Sequence, residues 1–339
     1  MYLPHKVKRF QIIGTKLMVV GGVPETERSE IIDFSSQQSC SKVSDIPHTN
    51  LKHAVGGTIQ DTPIICGGRK LEESTEVDGS DCLILGNDGN WSISVSLKKP
   101  RSSASAVTIN DSLLITGGGF LGSDGKKMEL LADTELISLE KSQEFVPLPH
   151  PLAFHCLIKI NETHVLSTGG LNIVKETVKV NVFNATFLFD FNTMEWTSGP
   201  TLLEERMSHA CGSFQMGDST VLLVAGGAKI EQSQIQLKSV EVLDTKEWNS
   251  GWQTAQMLPL PLYYASIVPS PNNKGLIMVG GINMALDWFN VNLLQFNCPE
   301  DTLDSCQWTA DPSRTWVEAR YGHVAMWIPE RIKTTQYEC

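Results

Sequence analysis

Six short runs of aliphatic and β-branched residues along the 339-residue chain end in a pair of glycines. They are LMVVGG at Gly21-Gly22, IICGG at Gly67-Gly68, LLITGG at Gly117-Gly118, VLSTGG at Gly169-Gly170, VLLVAGG at Gly226-Gly227 and LIMVGG at Gly280-Gly281. Successive pairs stand 46, 50, 52, 57 and 54 residues apart. An alternating segment and a tight polar turn, such as Asn110-Asp111-Ser112 or Asn161-Glu162-Thr163, precede these runs, which predicts a hairpin of first and second strands. A third strand is expected over residues 30–34, 81–85, 187–191 and 240–244. Then comes an aromatic residue: Trp91, Trp196, Trp248 with Trp252, Trp308, or Phe145 in the third repeat, with none in the first. A large aromatic at the start of an outer strand reads as packing between neighbours in a ring.

A period near fifty residues with strand character throughout predicts a β-propeller with one four-stranded blade per repeat. The fold expected is all-β and six-bladed, a single domain over residues 1–339 with helix nearly absent. Glycine suits the strand ends because inner strands crowd around the axis and leave no room for a Cβ. Both Val7 to Ile13 and Arg320 to Pro329 have the form of another first strand. An open sheet edge at the seam is a liability, so one of the two is expected to close the ring by completing a blade shared by the chain ends. The pattern leaves open which.

The hydrophobic run, the glycine pair, the third strand, the tryptophan, the Pro-rich link and an Arg or His ahead of the next strand together resemble the kelch repeat over nearly the whole chain. That resemblance implies a propeller whose mouth loops bind partners, and it says little about activity. Eight cysteines and the segment CPEDTLDSCQW are more similar to extracellular kelch proteins than to cytosolic adaptors.

The cysteine count is even, and hairpin proximity permits Cys298 with Cys306 and Cys66 with Cys82. Cys156 and Cys211 hold equivalent first-strand positions in blades four and five, which leaves Cys40 and Cys339 to staple blade one to the tail. Glycosylation sequons begin at Asn90, Asn110, Asn161 and Asn184, on predicted turns or strand edges. Cysteines and sequons together favour a secreted, extracellular protein. The N-terminal MYLPHKVKRFQ lacks the apolar core of a signal peptide, which by itself favours the cytoplasmic alternative.

With 38 acidic against 27 basic residues, the formal charge is −11, which argues against a nucleic-acid partner. No apolar run reaches the length of a membrane span, so no membrane insertion is expected. Neither a G-x-S-x-G elbow nor an H-E-x-x-H motif occurs, and the expectation is no catalytic residue, no metal and no cofactor. A copper-radical oxidase, another kelch propeller, would need His and Tyr ligands at one end of the ring. His209, His323 and Tyr264 are the candidates, and nothing around them in the sequence supports that third reading.

What remains is a set of residues just before each inner strand: His53, Arg101, His155, Arg206, His209, Tyr264, Arg320 and His323. Repeat symmetry gathers them at one mouth. There Arg101, Arg206 and Arg320 would concentrate positive potential for an anionic partner. The competing reading is that they cap strand ends and tie blades together. Residues 72–80 and 121–127 are expected on the opposite face. The reading adopted is a non-catalytic binding scaffold, an extracellular protein- or glycan-interaction module; an intracellular kelch adaptor or cytoskeleton-binding protein is the alternative.

Overall fold

A computed structural model describes residues 15–24, 28–35, 40–48, 50–122, 127–174, 179–284, 286, 288–290, 292–315 and 318–337. Six antiparallel sheets surround one axis, and in five of them the strands run in chain order from the axis outward. Blade two comprises Val55–Ile59, Thr62–Cys66, Asp81–Leu85 and Trp91–Ser96, labelled here strands a to d. Blade three comprises Ser105–Ile109, Ser112–Thr116, Thr134–Ile137 and Ser142–Phe145. Blade four comprises Cys156–Lys159, His164–Thr168, Thr186–Asp190 and Glu195–Ser198. Blade five comprises Ala210–Met216, Ser219–Ala225, Val240–Asp244 and Gln253–Ala255, and blade six Ser266–Pro269, Gly275–Val279, Asn292–Asn297 and Gln307–Thr315. Helix among the described residues is limited to two 3-10 turns, Thr245–Ser250 and Leu303–Ser305.

Blade one settles the closure. Its innermost strand is Val324–Ile328, paired antiparallel with Lys16–Val20, and Ser29–Asp33 and Cys40–Lys42 follow outward. The C-terminal candidate therefore completes the ring, while Val7 to Ile13 lies outside the described residues. A fifth strand, Thr335–Tyr337, adds to the outer edge opposite Cys40–Lys42, so the C-terminal chain supplies both the innermost and the outermost strand of blade one.

The core sits between blades, because each sheet is apolar on both faces. Phe214, Val221 and Leu223 of blade five pack with Leu276, Met278 and Phe296 of blade six, all buried. The outer-strand tryptophans reach back to the preceding blade: Trp91 Nε1 donates to Ser29 Oγ, Trp196 Nε1 to Val146 O and Trp252 Nε1 to Pro200 O. Three of the four expected cysteine pairs are disulfides: Cys66–Cys82, Cys156–Cys211 and Cys298–Cys306. Cys156–Cys211 joins the innermost strands of blades four and five, with Cα atoms 6.2 Å apart. Cys339 lies outside the described residues, and with it the fourth pair.

The glycine pairs work as the chain pattern implies. Gly117 and Gly118 have φ of +60° and +82°, and a Cβ on Gly117 would lie 2.3 Å from Leu152 O. Without that Cβ the link to the next blade comes close enough for Gly118 N–H to donate to Leu152 O at 2.8 Å. After the pair the chain rises into a short hairpin before strand c, and among the described residues the paired strands of five are seen: 69–72 with 75–78, 119–121 with 128–130, 171–174 with 179–182, 228–230 with 234–236, and 282–283 with 288–289. These hairpins start beside the links that feed the inner strands, through bridges such as Lys52 with Arg69 and Ser102 with Gly119. Residues 72–80 and the described part of 121–127 thus stand at the glycine end, beside the mouth and not on the opposite face, because strand b finishes where the next inner strand begins.

Candidate functional site

At the glycine end each blade link carries one residue in the left-handed conformation: His53, Ser103, Phe154, Ser208, Tyr264 and Gly322, with φ between 53° and 63°. The peptide N–H of each donates to the carbonyl of the one before it: Ser103 to His53, Phe154 to Ser103, Ser208 to Phe154, Tyr264 to Ser208 and Gly322 to Tyr264. His53 N–H then donates to Gly322 O at 2.7 Å, and the circle is complete. Six backbone hydrogen bonds thus join six different blades head to tail around the axis.

The side chains on this circle alternate large and small. His53, Phe154 and Tyr264 belong to alternate blade links, and their ring centroids lie 4.9, 5.8 and 6.1 Å apart, so the three rings meet and close the channel. Six aromatic side chains could not share that space; three with Ser103, Ser208 and Gly322 between them do. Tyr263 and Tyr321 flank Tyr264 with centroids 4.5 and 5.7 Å away. Burial lowers the His53 pKa to about 4 and raises that of Tyr264 to about 12.

Two residues before the circle the alternation recurs as Leu51, Arg101, Leu152, Arg206, Leu262 and Arg320. The three arginines are 1, 0 and 1% exposed. Arg101 pairs with Glu135, Arg206 with Glu241 and Arg320 with Glu30, all inside the ring. Each guanidinium also donates to the carbonyl of the first glycine of its blade: Gly117, Gly226 and Gly21, at 3.0, 2.8 and 3.2 Å. The main-chain carbonyls of the same arginines accept from Gly68, Gly170 and Gly281 of the blade before. An arginine here spans a blade junction with both its ends. The expected positive mouth is corrected accordingly, because these charges are neutralised by buried carboxylates and turned away from solvent.

One residue after the circle stand His155, His209 and His323, also buried. His155 Nε2 bonds to Thr116 Oγ1 at 2.7 Å and His209 Nε2 to Thr168 Oγ1 at 2.9 Å, each across a junction. Burial holds all three well below the usual histidine range, to about 3 for His155 and His323. Of the eight residues singled out in the sequence, only His53 and Tyr264 present side chains on the axis at the mouth, where Phe154 joins them. The pooled set in fact occupies three different positions of the repeat.

The hairpins form a crown around this plug. Adjacent ones share a small apolar cluster in which Leu171, Met207 and Ala228 are buried against Phe154, Val180 and Ile230. On the sector of blades four to six the crown and its neighbouring links leave Leu203, Ile235, Met257, Met284 and Leu286 between 37 and 62% exposed. Among the described residues, the other exposed large apolar side chains, Ile93 and Met194, lie on an outer strand and a turn. The Ile235 hairpin and the Met284 loop are held together, since Gln236 Oε1 accepts from Met284 N–H at 3.1 Å. The sequence offers a weak signal for this patch, single apolar residues inside otherwise polar loops.

All four sequon asparagines are exposed. Asn90, Asn110 and Asn161 sit on turns at the end opposite the glycines. Asn184 precedes strand c near the crown, and its amide donates to Leu202 O.

This arrangement defines the class: the chain is a six-bladed β-propeller of the kelch type. No family model matches it. It is similar to Beta-scruin of Limulus polyphemus, 24% identical over 221 residues, which is 65% of this chain and 23% of that protein. The chain thus spans about a quarter of the length of the curated relative it matches. Among solved structures it is similar to that of YjhT, with a TM-score of 0.72 at 13% identity over 88% of this chain and 95% of the other, a likeness of fold.

Proposed function

We propose that this propeller is a non-catalytic scaffold that binds a protein partner through its crown, in an oxidising, extracellular compartment. The observation that carries the reading is the concentration of exposed Leu203, Ile235, Met257, Met284 and Leu286 on one sector of the glycine end. Apolar side chains grouped on loops above a rigid ring are what a protein-binding surface requires, and methionine adapts its shape to what it meets. The arginines contribute nothing to that surface, so an anionic ligand such as an acidic glycan has no counter-charge at the mouth from them. Three disulfides support the compartment, since thiols stay reduced in the cytosol.

Two measurements test these statements separately. For the surface, Ile235, Met284 and Leu286 are changed together to Ser, with Ile93→Ser as the control on an outer strand. Partner capture from the source tissue is expected to survive in the control and to fail in the triple variant; equal capture by both contradicts the assignment. For the compartment, mass spectrometry of native protein is expected to find the Cys298–Cys306 bridge and glycans on Asn110 or Asn161, and free thiols with bare asparagines would point to the cytosol.

A further inference from the structure

Below the plug the axis opens into a cavity of about 660 Å³. Its wall includes Ala106, Ile158, Ile160, Ile267, Pro269 and Trp327 of the inner strands. Its open mouth lies at the a–b turns, where Gln60, Asp61, Asp111 and Asn273 stand. The contact of His53, Phe154 and Tyr264 seals the other end, so the channel is a cup entered only from the turn side. Volumes of this size hold drug-sized molecules, and a mainly apolar wall with a few fixed polar groups is the usual form of such a site.

The polar groups at the floor are unusual. His209 and His323 line the cup, and each is about nineteen-twentieths buried. Thr168 Oγ1 lies 2.9 Å from His209 Nε2 and 3.3 Å from Cys156 O, so a hydroxyl that keeps its bond to Cys156 O accepts from His209. In that arrangement His209 Nε2 carries the proton and Nδ1 is an acceptor. That Nδ1 has no hydrogen-bond partner among the described residues. A buried polar atom left unpaired costs free energy comparable to a lost hydrogen bond, so the floor favours a molecule that pairs it.

We propose that the cup is a small-molecule site, distinct from the crown, for an uncharged and largely apolar ligand bearing a hydroxyl or N–H that donates to His209 Nδ1. An anion would face that lone pair, while Arg206 beside the floor is already neutralised by Glu241, and Lys159, which lines the cup, is paired with Glu162. A cationic ligand would be stripped of water against an apolar wall with no carboxylate at the floor to receive it. A neutral hydroxylated ring system meets neither penalty.

The probe is β-naphthol, set against naphthalene, which lacks the hydroxyl, and β-naphthalenesulfonate, which carries a charge. On the intact chain, β-naphthol is expected to bind saturably and about tenfold or more tighter than either comparator, the value of one hydrogen bond to a buried acceptor. In isotope-labelled histidine NMR the His209 Nδ1 signal should move with β-naphthol and stay put with naphthalene. His209→Phe should reduce β-naphthol to the naphthalene level. Ile160→Trp, which fills the cup without touching the floor, should abolish binding of both and stands in if the histidine variant does not fold. Absence of saturable β-naphthol binding to the wild type, equal affinity for all three probes, or a hydroxyl preference that survives His209→Phe would each overturn the proposal.

Discussion

Arg206 and Glu241 form a buried ion pair in blade five, and at the same register in blade four stand Leu152 and Phe187. The substitution repeats around the ring. Arg320 with Glu30, Arg101 with Glu135 and Arg206 with Glu241 alternate with Leu51 and Leu83, Leu152 and Phe187, and Leu262 and Leu294. The molecule thus answers one packing requirement in two ways, by charge in odd blades and by apolar side chains in even ones.

From this follows an unequal pair of mutational effects. Arg206→Leu strands Glu241 in the interior and should cost about 3–5 kcal/mol. Adding Glu241→Leu reproduces the blade-two solution and should recover most of that loss, since apolar replacement of a buried pair is often neutral. Urea unfolding of wild type, single and double variants checks it; a double variant as unstable as the single would mean the apolar blades depend on features absent from blade five.

Acid should weaken the fold well above the range where carboxylates titrate. The folded-state pKa values of His53, His155 and His323 lie at about 4, 3 and 3, against 6.5 when unfolded, because burial disfavours the charged ring. Below pH 6.5 the unfolded chain takes up protons that the folded chain refuses. The stability from these groups is therefore whole above that pH and falls steadily down to about pH 4 and beyond. At pH 5 each contributes a loss of about 2 kcal/mol. His53→Phe, a residue the circle already accepts at Phe154 with nearly the same φ, should remove one proton from the slope of unfolding free energy against pH. An unchanged slope would show that His53 titrates normally.

The disulfides should differ in worth. Cys156–Cys211 closes a separation of 55 residues and joins two blades, whereas Cys298–Cys306 closes 8 within one hairpin. Chain entropy assigns about 4 kcal/mol to the first and about 2.5 to the second. Replacing both cysteines of each bridge by Ala and comparing denaturation midpoints tests that order, and a larger loss from the hairpin bridge would reverse it.

Blade number and glycine strands were legible in the sequence because the Gly-Gly pair recurs about every fifty residues, the outer tryptophans because one follows most third strands, and the three disulfides because their cysteines fall on neighbouring strands or at equivalent first-strand positions. Two features were not. Val7 to Ile13 and Arg320 to Pro329 share the same alternation, and only pairing with Lys16–Val20 distinguishes them. The mouth residues were harder: Arg206, Ser208 and His209 are near neighbours in sequence, yet one ties blades, one continues the backbone circle and one floors a cavity. Periodicity of fifty residues locates that segment without resolving which of its positions faces the axis. The alternation of Leu and Arg two residues before the circle was present in the sequence and becomes readable once the circle supplies the register.

The residues that hold the ring differ from those proposed to bind, and one panel tests that separation directly. Partner capture and melting temperature are measured side by side for Arg206→Leu with Glu241→Leu and for the Ser variant of Ile235, Met284 and Leu286. The first should retain capture whatever its melting temperature, and the second should lose capture while melting like the wild type. Capture lost by the well-folded arginine variant and kept by the crown variant would contradict the account and return binding to the arginine mouth.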